Sequence, residues 1–347
     1  HSGHRLRSRE RQGHHRSQPR LAGGQAGPRG GLLAERIERS ESVRNRLVEI
    51  AADVAGPADF QQPPARIEND ARFVPVHALQ LVDALHLDFD VMRDVPISEA
   101  GEAADSLTPA QAQAIAAIYA PADVGTGRPF PGMPFGAEFV GAMMPGLDPA
   151  SGWAGWFYRW DAGFFKGADA GVRATFGETF LHYFLGYTGG WREFDFSPAA
   201  LSGLAEISAL MDAVDPNLAP FASSNAKLIM YHGLADAALN PARAAAYFED
   251  VRATMGVAKV DEFARLYMLP GMFHCFGGYG PSLFDMLTPL VNWVENGAAP
   301  ESIPAAQISF ETGAVTRTRN LCAYPCVSRY CGQGDMANAA AFTCVAE

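Results

Sequence analysis

A chain of 347 residues with 48% hydrophobic and 19% charged residues has a globular composition and the length for one large core or two smaller ones. Its formal net charge of -11 argues against nucleic acid as a partner, because an acidic surface repels a polyanion. No apolar run reaches the roughly 20 residues of a membrane helix, so no membrane partner is expected. The chain opens on His1 without an early apolar segment, so no secretory leader is expected and the first residue is read as not the natural start.

In chain order, the first thirty residues hold seven Arg, one Glu, four His and no aromatic residue. Residues 1–60 are read as a degenerate or disordered beginning, with a basic nucleic-acid arm the weaker alternative. Lys occurs only at Lys166, Lys227 and Lys259 while Arg is abundant, the mark of a GC-rich gene in which shifted frames stay open. A frameshift within residues 1 to about 105 is therefore a further expectation. Helical spacing runs over 32–55 (Leu33, Ile37, Val43, Leu47, Ile50) until Pro63 and Pro64, and a second helix is expected over 73–87. Next comes DALHLDFDVMRD with Asp83, Asp88, Asp90 and Asp94. Carboxylates so clustered can hold calcium through oxygen, although a solvated acidic turn is the preferred reading. SLTPAQAQAIAAIYA predicts a helix capped by Ser106 or Thr108 with Pro109 in its first turn. A Gly/Pro loop follows over 124–136. Trp153, Trp156, Phe157, Tyr158, Trp160, Phe164 and Phe165, then Phe176, Phe180, Tyr183, Phe184, Tyr187 and Trp191, crowd the next stretch. Most such rings are core, and so many beside Gly-rich turns also suit a lid over a flat aromatic substrate. LAEISALMDAVD is helical in period.

The chemistry concentrates in residues 227–275. KLIMY and RLYML are short apolar runs that break into Gly-containing loops, and the Ala-rich span 241–255 between them opens with Pro241 and has the length of a crossover helix. Strand, helix, strand in this order makes a parallel pair, whose exit loops lie where open α/β sheets bind ligands. One loop carries Asp236 and the other His274, which are the last two members of a Ser–Asp–His triad in chain order. His232 is read as a packed strand-end residue. Residues 281–296 predict an amphipathic helix that closes on Gly297 and packs on the sheet behind His274. The remainder reads as a Pro-punctuated tail. No G-x-S-x-G occurs: Ser151 and Ser202 precede Gly but sit in the lid or a linker, and Ser223 and Ser224 lie before a strand. No nucleophile is therefore assigned. All five cysteines, Cys275, Cys322, Cys326, Cys331 and Cys344, lie in the last quarter. Such clustering suggests disulfides from an oxidising compartment rather than zinc, since the CxxxC and CxxxxC spacings lack an accompanying His or a second CxxC.

HGLAD followed by LPGMFHCFGGYGP, with LTPAQAQAIAAIYA, the Trp-rich middle and the ending RTRNLCAYPCVSRY to FTC, resembles the tannase and feruloyl esterase family of α/β-hydrolases. The likeness covers residues 107–344, about two-thirds of the chain. It implies an α/β fold: a partial α/β-hydrolase with a mostly parallel sheet and flanking helices over 196–347, and an inserted lid over 61–195. In the family the triad acid sits in HGxxD, here Asp236, and the triad His precedes a Cys, here His274 and Cys275. That Cys is bonded to one just before the nucleophilic Ser, in a GCSxGG motif that this sequence does not contain. The resemblance thus leaves Cys275 without a partner, and places the missing elbow and early strands before residue 1 or in the altered beginning. It pairs Cys322 with Cys344. Cys326 and Cys331 are additions that could bridge each other. The family's lid holds structural calcium in a DALDGxxDG-type loop, but His86 replaces the second Asp and the loop glycines are absent. The implied activity is carboxylic ester hydrolysis of a small aromatic ester, a hydroxycinnamate or a gallate, with no cofactor required, in a secreted or periplasmic protein. A chain without the serine is expected to be inactive, and the alternative is a non-catalytic remnant that binds aromatic ligands through the lid.

Overall fold

The computed structural model describes residues 90–94, 96–98, 106–123, 129–138, 152–153, 156–157, 171–309 and 311–346. The helices expected over 32–55 and 73–87, with Asp83 and Asp88, lie outside the described residues.

Helix α1 (Pro109–Tyr119) begins as its sequence requires, with Pro109 at N1 and Thr108 as N-cap. The Gln111 N–H donates to the Thr108 hydroxyl and the Thr108 N–H to the Gln111 side chain, a reciprocal box that satisfies two otherwise orphaned donors. Its buried Ala112 and Ile115 join Val91, Leu107, Met133, Ala137, Trp153 and Ala237 in one apolar cluster. Helix α2 (Val172–Leu185) stops at Gly186, which takes the left-handed φ of 65°. Its aromatic residues are not mainly core, as their number suggests: Phe176, Tyr183 and Phe184 are more than half exposed. The helix expected over LAEISALMDAVD is shorter, Ala205–Met211. Asp212 is extended, and Pro216 disfavours helix in the residue before it.

The strand β1 (Leu228–Gly233), the helix α3 (Pro241–Met255) and the strand β2 (Ala264–Leu269) form the expected crossover unit. β1 and β2 are parallel, in register from Leu228 opposite Ala264 to Gly233 opposite Leu269. α3 turns Phe248 and Val251 onto Val260, Phe263, Ala264 and Leu266. The expectation of a mostly parallel sheet does not hold among the described strands, where this is the one parallel pair. β3 (Leu283–Phe284), β4 (Ser302–Ile308) and β5 (Val315–Cys322) make an antiparallel sheet, and β6 (Cys326–Tyr330) and β7 (Phe342–Ala346) an antiparallel hairpin. The segment after β5 continues onto the far edge of β2 through a Tyr267–Ala323 bridge and the Tyr324 N–H donated to the Leu266 carbonyl (2.8 Å). Tyr267, Leu269, Met272, Ile303, Ala305 and Leu321 fill the junction.

The helix expected over 281–296 is split. Leu283–Phe284 pair with β4, and α4 (Leu287–Asn296) starts only after Asp285, whose carboxylate accepts the Leu287 and Thr288 N–H groups. Gly297 closes it in the left-handed region, as expected. Its one buried side chain, Trp293, lies within 5.5 Å of the Lys227 ammonium and 5.1 Å of the Arg265 guanidinium. Those cations sit at the amino ends of β1 and β2, so α4 is anchored away from the strand ends that carry His274. Leu287, Val291 and Val294 are exposed. Among the described residues no helix is long and apolar enough to cross a membrane.

Candidate active site

The two strands end in loops that touch. The Leu234 N–H donates to the Leu269 carbonyl (2.8 Å) and the Ala235 N–H to the Met272 carbonyl (3.0 Å). Gly233 permits this approach, since a Cβ there would lie 2.4 Å from the Met272 carbonyl oxygen. The second loop doubles back at once: Met272 bridges Gly278, and Gly280 donates to the Gly271 carbonyl. A Cβ on Gly278 (φ 96°) would meet the Gly271 oxygen at 2.1 Å. His274 stands in this tight turn beside Cys275, a non-glycine residue with φ 69°.

Asp236 is only 2% exposed, and four donors surround its carboxylate. Oδ1 accepts the Ala238 and Leu239 N–H groups (2.7 and 2.9 Å). Oδ2 accepts Nδ1 of His274 (3.0 Å) and Nε2 of His232 (3.1 Å). A carboxylate so buried survives as the anion only when its lone pairs are met. Burial pushes its pKa upward, but the bonds from His232, His274 and Leu239 outweigh this and bring it down to about 2. The same bond raises His274 above the usual imidazole range, with burial opposing. Because the carboxylate only accepts, Nδ1 of His274 carries a proton, and in the neutral imidazole Nε2 keeps a lone pair able to accept one. The Trp156 ring lies edge-on to this imidazole, 5.5 Å between centroids.

Other segments hold the acid loop. Asn240 caps α3 through the Ala242 N–H and gives its amide to the Pro131 (3.0 Å) and Gly132 (2.6 Å) carbonyls. It thereby ties on the Gly/Pro loop expected over 124–136. Arg173 of α2 donates to the Ala237 and Ala238 carbonyls (3.3 Å each) and lies 5.1 Å from the Phe157 ring centroid. Tyr279 donates to the Gly136 carbonyl (3.2 Å).

The structure therefore brings together the two residues singled out for acid and base. His232 needs a correction: it is not merely a packed strand-end residue, since its Nε2 is bonded to Asp236. The HxxxD spacing was the available signal. Asn240, directly before Pro241, carried the signature of a helix cap. Nothing in the local sequence marks Arg173. Among the described residues no serine is hydrogen-bonded to His274. The hydroxyls of Ser223 and Ser224 turn back onto the Pro220 and Phe221 carbonyls. Asp90 accepts the Arg93 N–H (3.0 Å); with Asp83 and Asp88 not described, the acidic cluster is not seen as a unit.

Among the cysteines, Cys322 and Cys344 form the expected disulfide (Cα–Cα 5.6 Å), and Cys275 is a free thiol. Burial, then the Asp236 charge, pushes that thiol's pKa upward. The suggested Cys326–Cys331 bridge is absent, both being free. The reason is that Cys326–Tyr330 is an extended strand, which holds Cys326 and Cys331 about 17 Å apart, far beyond disulfide reach.

Against known proteins, the family model described as "Tannase and feruloyl esterase" matches residues 87–345. The chain is 47% identical over 135 residues to the mono(2-hydroxyethyl) terephthalate hydrolase of Piscinibacter sakaiensis, covering 39% of this chain and 22% of that protein. It is 39% identical over 142 residues to a probable feruloyl esterase of Arthroderma benhamiae, covering 40% and 26%. These matches thus span about a quarter of the relatives' length. In three dimensions, feruloyl esterase B from Aspergillus oryzae superposes with a TM-score of 0.58 at 21% identity, over 90% of this chain and 58% of that one. Tannin acyl hydrolase from Aspergillus niger gives 0.54 at 19% identity, over 91% and 56%. The fold is that of these esterases, and the chain belongs to the tannase and feruloyl esterase family.

Proposed function

We propose that this chain carries the acid–base half of a carboxylic ester hydrolase acting on esters of small aromatic acids, and that by itself it binds such esters without covalent turnover. The observation that carries the reading is the bond from His274 Nδ1 to the buried Asp236 Oδ2 (3.0 Å), set at the carboxyl ends of two parallel strands. In this chemistry a serine hydroxyl attacks the ester carbonyl while Nε2 of His274 takes its proton, and Asp236 holds the imidazole tautomer and balances the imidazolium. His274 then returns the proton to the leaving alcohol, and the cycle repeats with water. None of these steps calls on a metal or an organic cofactor. The aromatic acyl class is supported by the relatives' names, a terephthalate hydrolase and feruloyl esterases, and by the Trp156 ring against His274.

Binding without turnover is favoured by the sequence, which contains neither G-x-S-x-G nor GCSxGG. Assays with methyl ferulate, methyl gallate and a p-nitrophenyl ester test both parts. The expected result is quenching of tryptophan fluorescence by the aromatic esters, no burst of alcohol and no acyl adduct by mass spectrometry. A burst or adduct lost in His274→Ala would establish a complete esterase in this chain and overturn the second part. Absence of any ester binding would overturn the first. The Cys322–Cys344 disulfide supports a secreted or periplasmic location.

A further inference from the structure

The acid of the site serves two imidazoles, and a simple Asp–His pair uses only one. Nε2 of His232 lies 3.1 Å from Asp236 Oδ2 and 3.1 Å from the Leu239 carbonyl oxygen. Both oxygens can only accept, so this nitrogen carries a proton and is a donor. His274 donates to the same Oδ2 at 3.0 Å. The two backbone donors on Oδ1 already fix the rotation of the carboxylate, so His232 is not required to aim it. What His232 changes is how much of the Oδ2 electron density is left for His274.

We propose that His232 is a positioning residue of the dyad, which shares Asp236 Oδ2 with His274 and so moderates the basicity of the imidazole that does the proton transfer. The inference rests on the reading of Asp236 and His274 as the acid–base pair. The physical argument is competition at one atom. Each donor on a buried carboxylate draws charge toward itself, and each weakens the next bond to the same oxygen. With His232 in place, the His274 imidazolium is stabilised by a shared oxygen. Without it, Oδ2 belongs to His274 alone and holds the imidazolium more tightly. The position is built for this role. HGLAD carries His232 at the penultimate position of β1, and the loop returns within four residues, so donor and acceptor are held by backbone that is itself bonded to β2. Other ionisable groups among the described residues approach His274. Cys275 is its neighbour, with its thiol raised toward the neutral form by burial and then by the Asp236 charge. The Arg173 guanidinium approaches the acid loop from α2, bonded to the Ala237 and Ala238 carbonyls. The Trp156 ring adds no charge.

The test reads His274 directly and needs no turnover. The protein carries histidine labelled with 13C and 15N, and the His274 resonance is assigned by its loss in His274→Asn. It is then titrated in the wild type and in His232→Leu and His232→Gln. Removal of the donor in His232→Leu is expected to move the His274 midpoint upward by roughly half a pH unit or more. His232→Gln, which keeps an N–H donor, is expected to stay near the wild type, with Nδ1 of His274 still protonated by its 15N shift. A His274 midpoint that is unchanged or lowered in a folded variant overturns the proposal. Should His232→Leu not fold, an upward shift in His232→Ser, whose hydroxyl is too short to reach Oδ2, supports it, and no shift there overturns it. Because the readout is a titration, a chain that neither binds nor cleaves esters would sink the functional reading and leave this test standing. An Asp236→Asn control that abolishes the difference between the His232 variants identifies the carboxylate as the shared atom; a difference that persists assigns the effect elsewhere and also overturns it.

Discussion

Asp236→Asn isolates the charge of the acid while keeping its shape. The amide oxygen would retain the Ala238 and Leu239 N–H groups that now bond Oδ1. The amide NH2 would then face Nδ1 of His274 and Nε2 of His232, two donors in place of an acceptor. The magnitude follows from the acid's titration. Its folded pKa is about 2 against an ordinary 3.8, burial pushing up and the bonds from His232, His274 and Leu239 pulling down further. At 1.36 kcal/mol per unit that is about 2 kcal/mol. Because the folded value is lowered, this stabilisation is complete above the unfolded pKa and is lost as pH falls through about 2. His274 has the opposite sign. Its folded value is raised by the Asp236 bond, so its share is complete below the unfolded value near 6.5 and is lost as pH rises through the folded one. The pair therefore contributes most between about pH 4 and 6.5. Urea unfolding of both proteins should show a gap of at least about 2 kcal/mol near pH 5.5, narrowing by more than about 1 kcal/mol near pH 2.5. A gap of equal size at both pH values would refute the reasoning, because the lost interaction would then not be that of an ionised carboxylate.

Gly233→Ala places a Cβ 2.4 Å from the Met272 oxygen and 2.6 Å from that of Phe273. It is expected to lower stability by about 2 to 3 kcal/mol and, by parting the loops, to return the His274 titration toward the ordinary imidazole range. Asn240→Ala removes the α3 cap and both bonds to the Gly/Pro loop. A loss of about 1 to 2 kcal/mol in urea should come with faster amide exchange over 129–138. The double variant Cys322→Ala/Cys344→Ala opens a cross-link over a separation of 22 residues. Its expected cost is about 3 kcal/mol, with the His274 titration unmoved, since the disulfide sits in the antiparallel tail.

The crossover unit was legible because its signals are local. Pro241 at a first helical position, a 15-residue Ala-rich span and apolar runs on either side require no knowledge of distant partners, and the structure has α3 over Pro241–Met255 between parallel strands. The Thr108 cap and the Gly297 stop are of the same kind. The antiparallel tail was not legible. Leu283–Phe284 continue the apolar spacing of α4, and only pairing with Ala305 and Ala306 makes them a strand. That partner lies some twenty residues downstream, beyond any local window, and tertiary pairing overrides helical period in so short a segment. The free Cys326 and Cys331 repeat the point: close in sequence, they were parted by a strand whose partner β7 comes after both.

The site divides along the same line. Asp236 and His274 could be named because a parallel pair in register must deliver both exit loops to one end of the sheet, wherever the rest of the chain goes. What surrounds them could not, since Arg173 reaches carbonyls 64 and 65 residues away and Asn240 reaches carbonyls more than 100 residues back. His232 lies between these cases. It is four residues from Asp236, yet alternation along β1 says only which face of the strand it takes. Whether its imidazole packs or donates is decided by the turn after Gly233, which folds back far enough to bring Oδ2 within 3.1 Å. That turn is possible because Gly233 lets the loop lie against the Met272 and Phe273 carbonyls. One missing Cβ thus sets both the approach of the two loops and the approach of His232 to the acid, which makes Gly233→Ala the variant in which both should fail together.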